Sequence, residues 1–186
     1  MVASLGIPFQ VRAPHVDETP AAGEPADRYL ERVVDSKLVA VRAGDGLSLR
    51  DVDGVLVADT VVVAPDGAIL GKPSDDADAR AMLRVLAGKT HRVSTRFALA
   101  STKGRAAPWH VETVTTRVVF RALDAAEIDA YVATAEGRDK AGAYAVQGLA
   151  ASFVARIEGS YTAVVGLPLS ELVMALRALG WLGPKA

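Results

Sequence analysis

Asp59 stands inside the run Val55-Leu56-Val57-Ala58-Asp59-Thr60-Val61-Val62-Val63, in which every residue but Asp59 and Thr60 is apolar. Such a run reads as a strand covered on both faces, and a carboxylate ionised there loses much of its hydration unless a cation or hydrogen bonds compensate. Two readings stay open. Asp59 caps a turn or pairs with a lysine as a structural group, or it is a metal ligand or general base at the carboxyl end of a core strand, where α/β sheets commonly present ligands. Asp17-Glu18, side by side in a loop, offers more oxygens for a hard divalent cation. Lys37, Lys72 and Lys140 each occupy a context in which a merely solvated lysine is less natural. Alone, each reads as a surface or snorkelling side chain; together with the acids they imply phosphate and metal.

The elements that must position these groups follow from periodicity and turn chemistry. Ile7, Phe9 and Val11 alternate with polar or proline positions and predict a short strand. An irregular, proline-rich stretch over 13–24 carries His15 and Asp17-Glu18. From Pro25, the residues Tyr29, Leu30, Val33, Val34, Leu38 and Val41 recur at helical spacing, which puts Lys37 on or beside the buried face. The 55–63 strand turns at Pro65-Asp66-Gly67 into Ala68-Ile69-Leu70, a hairpin ending at Gly71-Lys72-Pro73. Ser74 is the expected N-cap of a helix with Met82, Leu83 and Leu86 on its apolar stripe and Gly88 at its close. Residues 91–100 and 109–121 read as an antiparallel pair around a Lys103-Gly104 turn. Asp124 with Glu127 forms a capping box, with Leu123 against Ile128 as its staple, for a helix ending at Gly137. The block 139–148 reads as a backbone-dominated loop, Phe153 to Ile157 as a strand, and the stripe Leu169, Leu172, Val173, Leu176 and Leu179 as a last helix from Pro168 to Gly180 with a frayed tail over 181–186. Strands and helices interleave, which predicts one α/β domain.

Composition removes whole classes of chemistry. With 186 residues the chain can bury a substantial core, and 21 Lys and Arg against 22 Asp and Glu argue against a partner held by bulk positive charge, whether nucleic acid or an anionic membrane. Cysteine is absent, which excludes thiolate catalysis, disulfides and Cys-ligated metals. No apolar run is long enough to span a bilayer and Met1 to Gly6 lacks the features of a signal peptide, so a soluble cytoplasmic protein is expected. Gly88-Lys89-Thr90 mimics the end of a phosphate-binding P-loop, but Leu83 stands where that loop needs its first glycine. His15, His91 and His110 lack metal-ligand spacing, and no dinucleotide or nucleophile-elbow motif is present.

Read in order, several blocks carry a resemblance: Leu5-Gly6-Ile7-Pro8-Phe9, Val16-Asp17-Glu18-Thr19, Ala58-Asp59-Thr60-Val61-Val62, Leu70-Gly71-Lys72-Pro73, His91-Arg92-Val93-Ser94-Thr95, Asp139-Lys140-Ala141-Gly142-Ala143-Tyr144, Gln147-Gly148 and Val164-Val165-Gly166-Leu167-Pro168. The chain resembles the Maf proteins, a family of nucleoside triphosphate pyrophosphatases, from Leu5 to Gly180. The resemblance implies an α/β fold of two lobes, a mixed sheet with flanking helices and a central cleft, similar to inosine triphosphate pyrophosphatases. It implies metal-dependent hydrolysis of a nucleoside triphosphate to the monophosphate and pyrophosphate, with Mg2+ or Mn2+ as cofactor and the nucleotide as partner; a homodimer is open.

On this resemblance Asp59 is the proton acceptor, Lys37 and Lys72 face the phosphates, Glu18 and Asp59 hold the metal, and Lys140 joins the substrate-binding set. Ala58-Asp59-Thr60 paired with the block ending at Gln147-Gly148 is similar to the branch acting on dTTP and UTP, which makes Thr60 and Gln147 the specificity residues. An amide offers both donor and acceptor to a uracil or thymine edge; the alternative is that Gln147 satisfies loop backbone. Where the family carries a strand and S-x-S-P-R-R before L-G-I-P-F, this chain has Met1-Val2-Ala3-Ser4, which implies a weaker grip on phosphate and an exposed sheet edge. Val57 and Arg96 also stand where glycine is usual. The competing expectation is a nucleotide-binding regulator linked to cell division with little catalysis.

Overall fold

The computed structural model describes residues 1–43, 52–102 and 109–182. Helix α1 (Ala26–Ala43) begins where the Pro25 carbonyl accepts from Tyr29 N at 2.9 Å, and it buries Tyr29, Leu30, Val33, Val34, Leu38 and Val41 on one stripe. The long strand β1 (Gly54–Val63) turns into β2 (Ile69–Leu70), with the Asp66 carboxylate accepting from Ala68 N to fix the turn. Helix α2 (Asp76–Leu86) leads into the paired strands β3 (Thr90–Ser101) and β4 (His110–Phe120). Then come α3 (Ala125–Ala133), β5 (Val154–Glu158), the short α4 (Tyr161–Val165) and α5 (Leu169–Ala178).

The strands form one sheet in the order β2-β1-β3-β4-β5, and every described pairing is antiparallel where a mixed sheet was expected. The α/β class with flanking helices stands. Alternation along β1 and β3 sends Val55, Val57, Ala98 and Ala100 toward α1, where they meet Val34, Leu38 and Val41. Val62, Val93, Val118 and Phe120 point to the opposite face, against α2, α3 and the segment 143–153. Phe97 and Leu99 meet α5 there through Leu172, Ala175 and Leu176. β2 pairs with β1 only at Val62 and Val63, so among the described residues the outer edge of β1 from Gly54 to Val61 has no neighbouring strand.

Several expectations change. Ile7 to Val11 is not a strand: among the described residues it pairs with no strand, and Val11 and Phe9 are among the exposed apolar residues. Asp75, not Ser74, caps α2, accepting from Asp78 N at 2.8 Å, while Ser74 donates to Asp78. The Asp124–Glu127 capping box forms as read, but α3 ends at Ala133 and Gly137 lies in the loop beyond it. Within the expected frayed tail, Trp181 packs edge-on against Trp109 at 4.9 Å between ring centres, and Leu182 joins the α5 core; residues 183–186 and the Lys103-Gly104 turn lie outside the described residues.

Candidate active site

A cavity of about 740 Å³ opens beside the free edge of β1. Its walls include consecutive β1 residues from Ala58 to Val62. Neighbours on a strand point to opposite faces, so both Asp59 and Thr60 can reach one cavity only because it runs along the strand's edge. Glu18, Lys37, Lys72, Lys140 and Gln147 line it as well, so all seven residues picked from the sequence come to one place.

At one end sits a charged cluster. Lys37 Nζ from α1 donates to Asp59 Oδ1 at 2.6 Å and pairs with Glu18 Oε1 at 2.8 Å; it also reaches the Ala58 carbonyl at 3.4 Å. Lys72 pairs with the other oxygen of Glu18 at 3.3 Å. The two carboxylates therefore flank a single ammonium. Only about 10% of the Asp59 side chain is exposed, and its Oδ2 is buried without a hydrogen-bond partner. The reading of Asp59 as a lysine-paired group is thus realised at Oδ1, while Oδ2 is buried and left without a partner.

Burial pushes the Asp59 pKa up against the opposing pull of Lys37, and the Glu18 charge adds to the rise. Glu18 goes the other way, held down first by its hydrogen bond from Lys37. Burial opposes the charge on Lys37, but the two carboxylates outweigh it and its pKa is raised. Two neighbouring carboxylates displaced in opposite directions are the arrangement that separates a proton acceptor from a permanently ionised partner.

The loop bearing Glu18 is held by two residues of α1 that the sequence did not mark as part of the site. Tyr29 Oη donates to the Glu18 carbonyl at 3.1 Å. Arg32 donates to the carbonyls of Asp17 and Thr19 and forks onto both oxygens of Glu24 at 2.8 Å. Asp17 accepts from Thr19 N at 2.8 Å, so one of its oxygens stabilises its own turn. Arg96 lies across from Asp59 in register, yet its guanidinium donates to Thr113 Oγ1 at 2.9 Å.

The cavity is also lined by Thr60, Ala145, Val146, Gln147, Val164 and Gly166. Gln147 is exposed, and among the described residues its amide has no hydrogen-bond partner, so the backbone-satisfying alternative is not realised. The chain on either side of it is clamped. Ala145 N donates to Tyr131 Oη at 3.1 Å, Tyr131 donates to Glu136 Oε1 at 3.1 Å, and Glu136 accepts from Leu149 N and Ala150 N at 2.9 and 3.3 Å. A Cβ at Gly148 would fall 2.4 Å from the Glu136 carboxylate, so a side chain there would have to displace this clamp. Gly142, at φ +71° and with a would-be Cβ 3.0 Å from Val62, lets the preceding turn close over β1, where its N–H bonds the Gly71 carbonyl at 3.0 Å. Lys140 reaches the cavity with Asp139 at 2.6 Å.

With the geometry in place, comparison with known proteins decides the family: the profile described as Maf-like protein matches residues 1–179. The chain belongs to the Maf family. Among similar Maf relatives, a protein from Hahella chejuensis named dTTP/UTP pyrophosphatase is 47% identical over 180 residues, 97% of this chain and 86% of the relative. Proteins of the same name from Citrifermentans bemidjiense and Shewanella sp. MR-7 are 44% and 48% identical, over 98% and 92% of this chain and 91% and 85% of theirs. Among the described residues of this Maf domain, no helix is long and apolar enough to cross a membrane.

Proposed function

We propose that this chain is a nucleoside triphosphate pyrophosphatase of the cytoplasm that hydrolyses dTTP and UTP to the monophosphate and pyrophosphate, with Asp59 as the general base. The observation that carries the reading is the buried Asp59 carboxylate: one oxygen on Lys37, the other unpaired, and a pKa raised by burial. The relatives named dTTP/UTP pyrophosphatase support the substrate.

Asp59 orients a water for attack on the α-phosphorus and takes its proton as the new P–O bond forms. The bond to the bridging oxygen breaks, and pyrophosphate leaves with the electron pair. Lys37 and Lys72 offset the charge that builds on the phosphate oxygens, an effect strengthened where water is scarce. Thr60 and Gln147 contact the base, and Lys140 adds a positive charge at the mouth of the cavity.

The donor set suits a divalent cation. Asp59 has an unpaired buried oxygen and Glu18 stands across the same ammonium, while no group of three or more His, Asp or Glu side chains forms an all-protein metal cage among the described residues. Two carboxylates that leave the remaining positions to phosphate oxygens and water are what Mg2+ ordinarily accepts. Glu18 and Asp59 would hold Mg2+ or Mn2+, which when bound supplies Lewis-acid polarisation of the phosphate.

The test is release of pyrophosphate and monophosphate from dTTP, UTP, 7-methyl-GTP and ITP, with and without Mg2+ or Mn2+. Metal-dependent turnover of dTTP and UTP is expected. A preference for 7-methyl-GTP would overturn the substrate assignment, and tight nucleotide binding without hydrolysis would favour a regulatory protein instead.

A further inference from the structure

Thr60 and Thr95 face each other directly across β1 and β3, with their hydroxyl oxygens 2.8 Å apart. Thr95 is fully buried, and its hydroxyl donates to the Ala163 carbonyl at 2.7 Å. A carbonyl can only accept, so the single proton of Thr95 is committed there. The proton in the Thr60–Thr95 contact must then be that of Thr60. The carbonyl itself is fixed in α4, where it also accepts from Gly166 N at 3.0 Å. Thr60 is left with lone pairs only to offer the cavity. Thr60 is only half-buried and lines the cavity, and Gly166 borders its hydroxyl without a side chain: a Cβ built there would stand 3.8 Å from Thr60 Oγ1.

We infer that Thr95, acting through the Ala163 carbonyl, is a positioning residue that makes Thr60 an obligate acceptor and thereby selects pyrimidines with a protonated ring nitrogen. This rests on the reading above, in which Thr60 and Gln147 contact the base. Uracil and thymine present an N3–H donor between two carbonyl acceptors, whereas cytosine presents an unprotonated N3 beside an amino donor. The Gln147 amide carries a donor and an acceptor and can turn over, so alone it fits either edge. A hydroxyl free to rotate would be equally tolerant. Thr60, with its proton withheld, complements N3–H and opposes the N3 lone pair of cytosine, which leaves a buried polar mismatch worth about 1–3 kcal/mol, roughly a tenfold to hundredfold preference.

The experiment compares kcat/KM for dTTP, UTP and CTP in the wild type, Thr95→Val and Thr95→Ser. Valine keeps the shape and removes the relay; serine keeps the relay. The UTP:CTP ratio should fall at least about tenfold in Thr95→Val and hold at the wild-type value in Thr95→Ser. A merely structural role would lower all three nucleotides together and leave the ratio unmoved, and an unmoved ratio in folded Thr95→Val overturns the inference. Should that variant not fold, wild-type protein that turns over CTP as fast as UTP overturns it equally. Wild-type protein that hydrolyses none of the three removes the functional reading itself, and the inference with it.

Discussion

Replacing Lys37 with methionine isolates the charge economy of the site. The side chain keeps its length and its packing along α1, but the ammonium that bonds Asp59 at 2.6 Å and Glu18 at 2.8 Å is gone. Glu18 retains Lys72 and is about 36% exposed, so it loses little. Asp59 is left about 10% exposed, inside an apolar strand, with both oxygens lacking a cation partner among the described residues. Removing one member of a buried pair typically costs 3–5 kcal/mol, and the partial access of water to this cavity places the expected loss at about 3 kcal/mol. The loss must depend on pH. Protonated Asp59 needs no cation, so the deficit is full at about pH 8 and shrinks as pH falls through the raised Asp59 pKa of the variant. Neutralising Asp59 as well should recover most of it: Lys37→Met/Asp59→Asn is expected to be more stable than Lys37→Met alone, a non-additivity that follows from direct contact. Urea unfolding of the two variants and the wild type at about pH 8 and pH 5 measures each term. A Lys37→Met deficit below about 0.5 kcal/mol, or one that is the same at both pH values, would refute the reasoning.

Three further outcomes follow from the same structure. Because Asp59 must be ionised to accept a proton and its pKa is raised by burial, the acid limb of kcat/KM should lie above the ordinary aspartate range and move higher still in Lys37→Met. His91 is buried, holds Tyr144 Oη at 2.8 Å, and has its pKa lowered to about 4 by burial. The unfolded chain takes up that proton near pH 6.5, so stability should fall as pH drops from about 6.5 to about 4, by about 3 kcal/mol in total, and His91→Gln should abolish that slope in denaturation measured against pH. Gly148→Ala forces a methyl group against the Glu136 carboxylate and should break the clamp beside Gln147, raising KM for dTTP several-fold with a smaller change in kcat in steady-state assays.

Much of the site was legible in the sequence because charge inside an apolar pattern is conspicuous. Asp59 interrupts β1, and Lys37 follows the buried stripe of α1 at helical spacing, so both could be picked without a fold. The Asp124 capping box was equally local. What escaped is what depends on distance along the chain. Thr60 and Thr95 are 35 residues apart, and only the β1–β3 register makes their hydroxyls meet. Tyr29 read only as part of the apolar stripe and Arg32 drew no reading, although both hold the Glu18 loop through backbone carbonyls that no side-chain pattern records. Helix α4 is five residues long, too short for a period to emerge. The alternation over 7–11 mimicked a strand, but alternation alone supplies no partner for the backbone.

The central claim is that Asp59 takes the proton from the attacking water, and Asp59→Asn tests it most directly because the amide keeps the shape and removes the base. Pyrophosphate release from dTTP should fall by about 10²–10⁴ in kcat, with the variant folded and still binding nucleotide. A folded Asp59→Asn protein that turns over dTTP within about threefold of wild type, a barrier change of less than about 1 kcal/mol, would contradict the account.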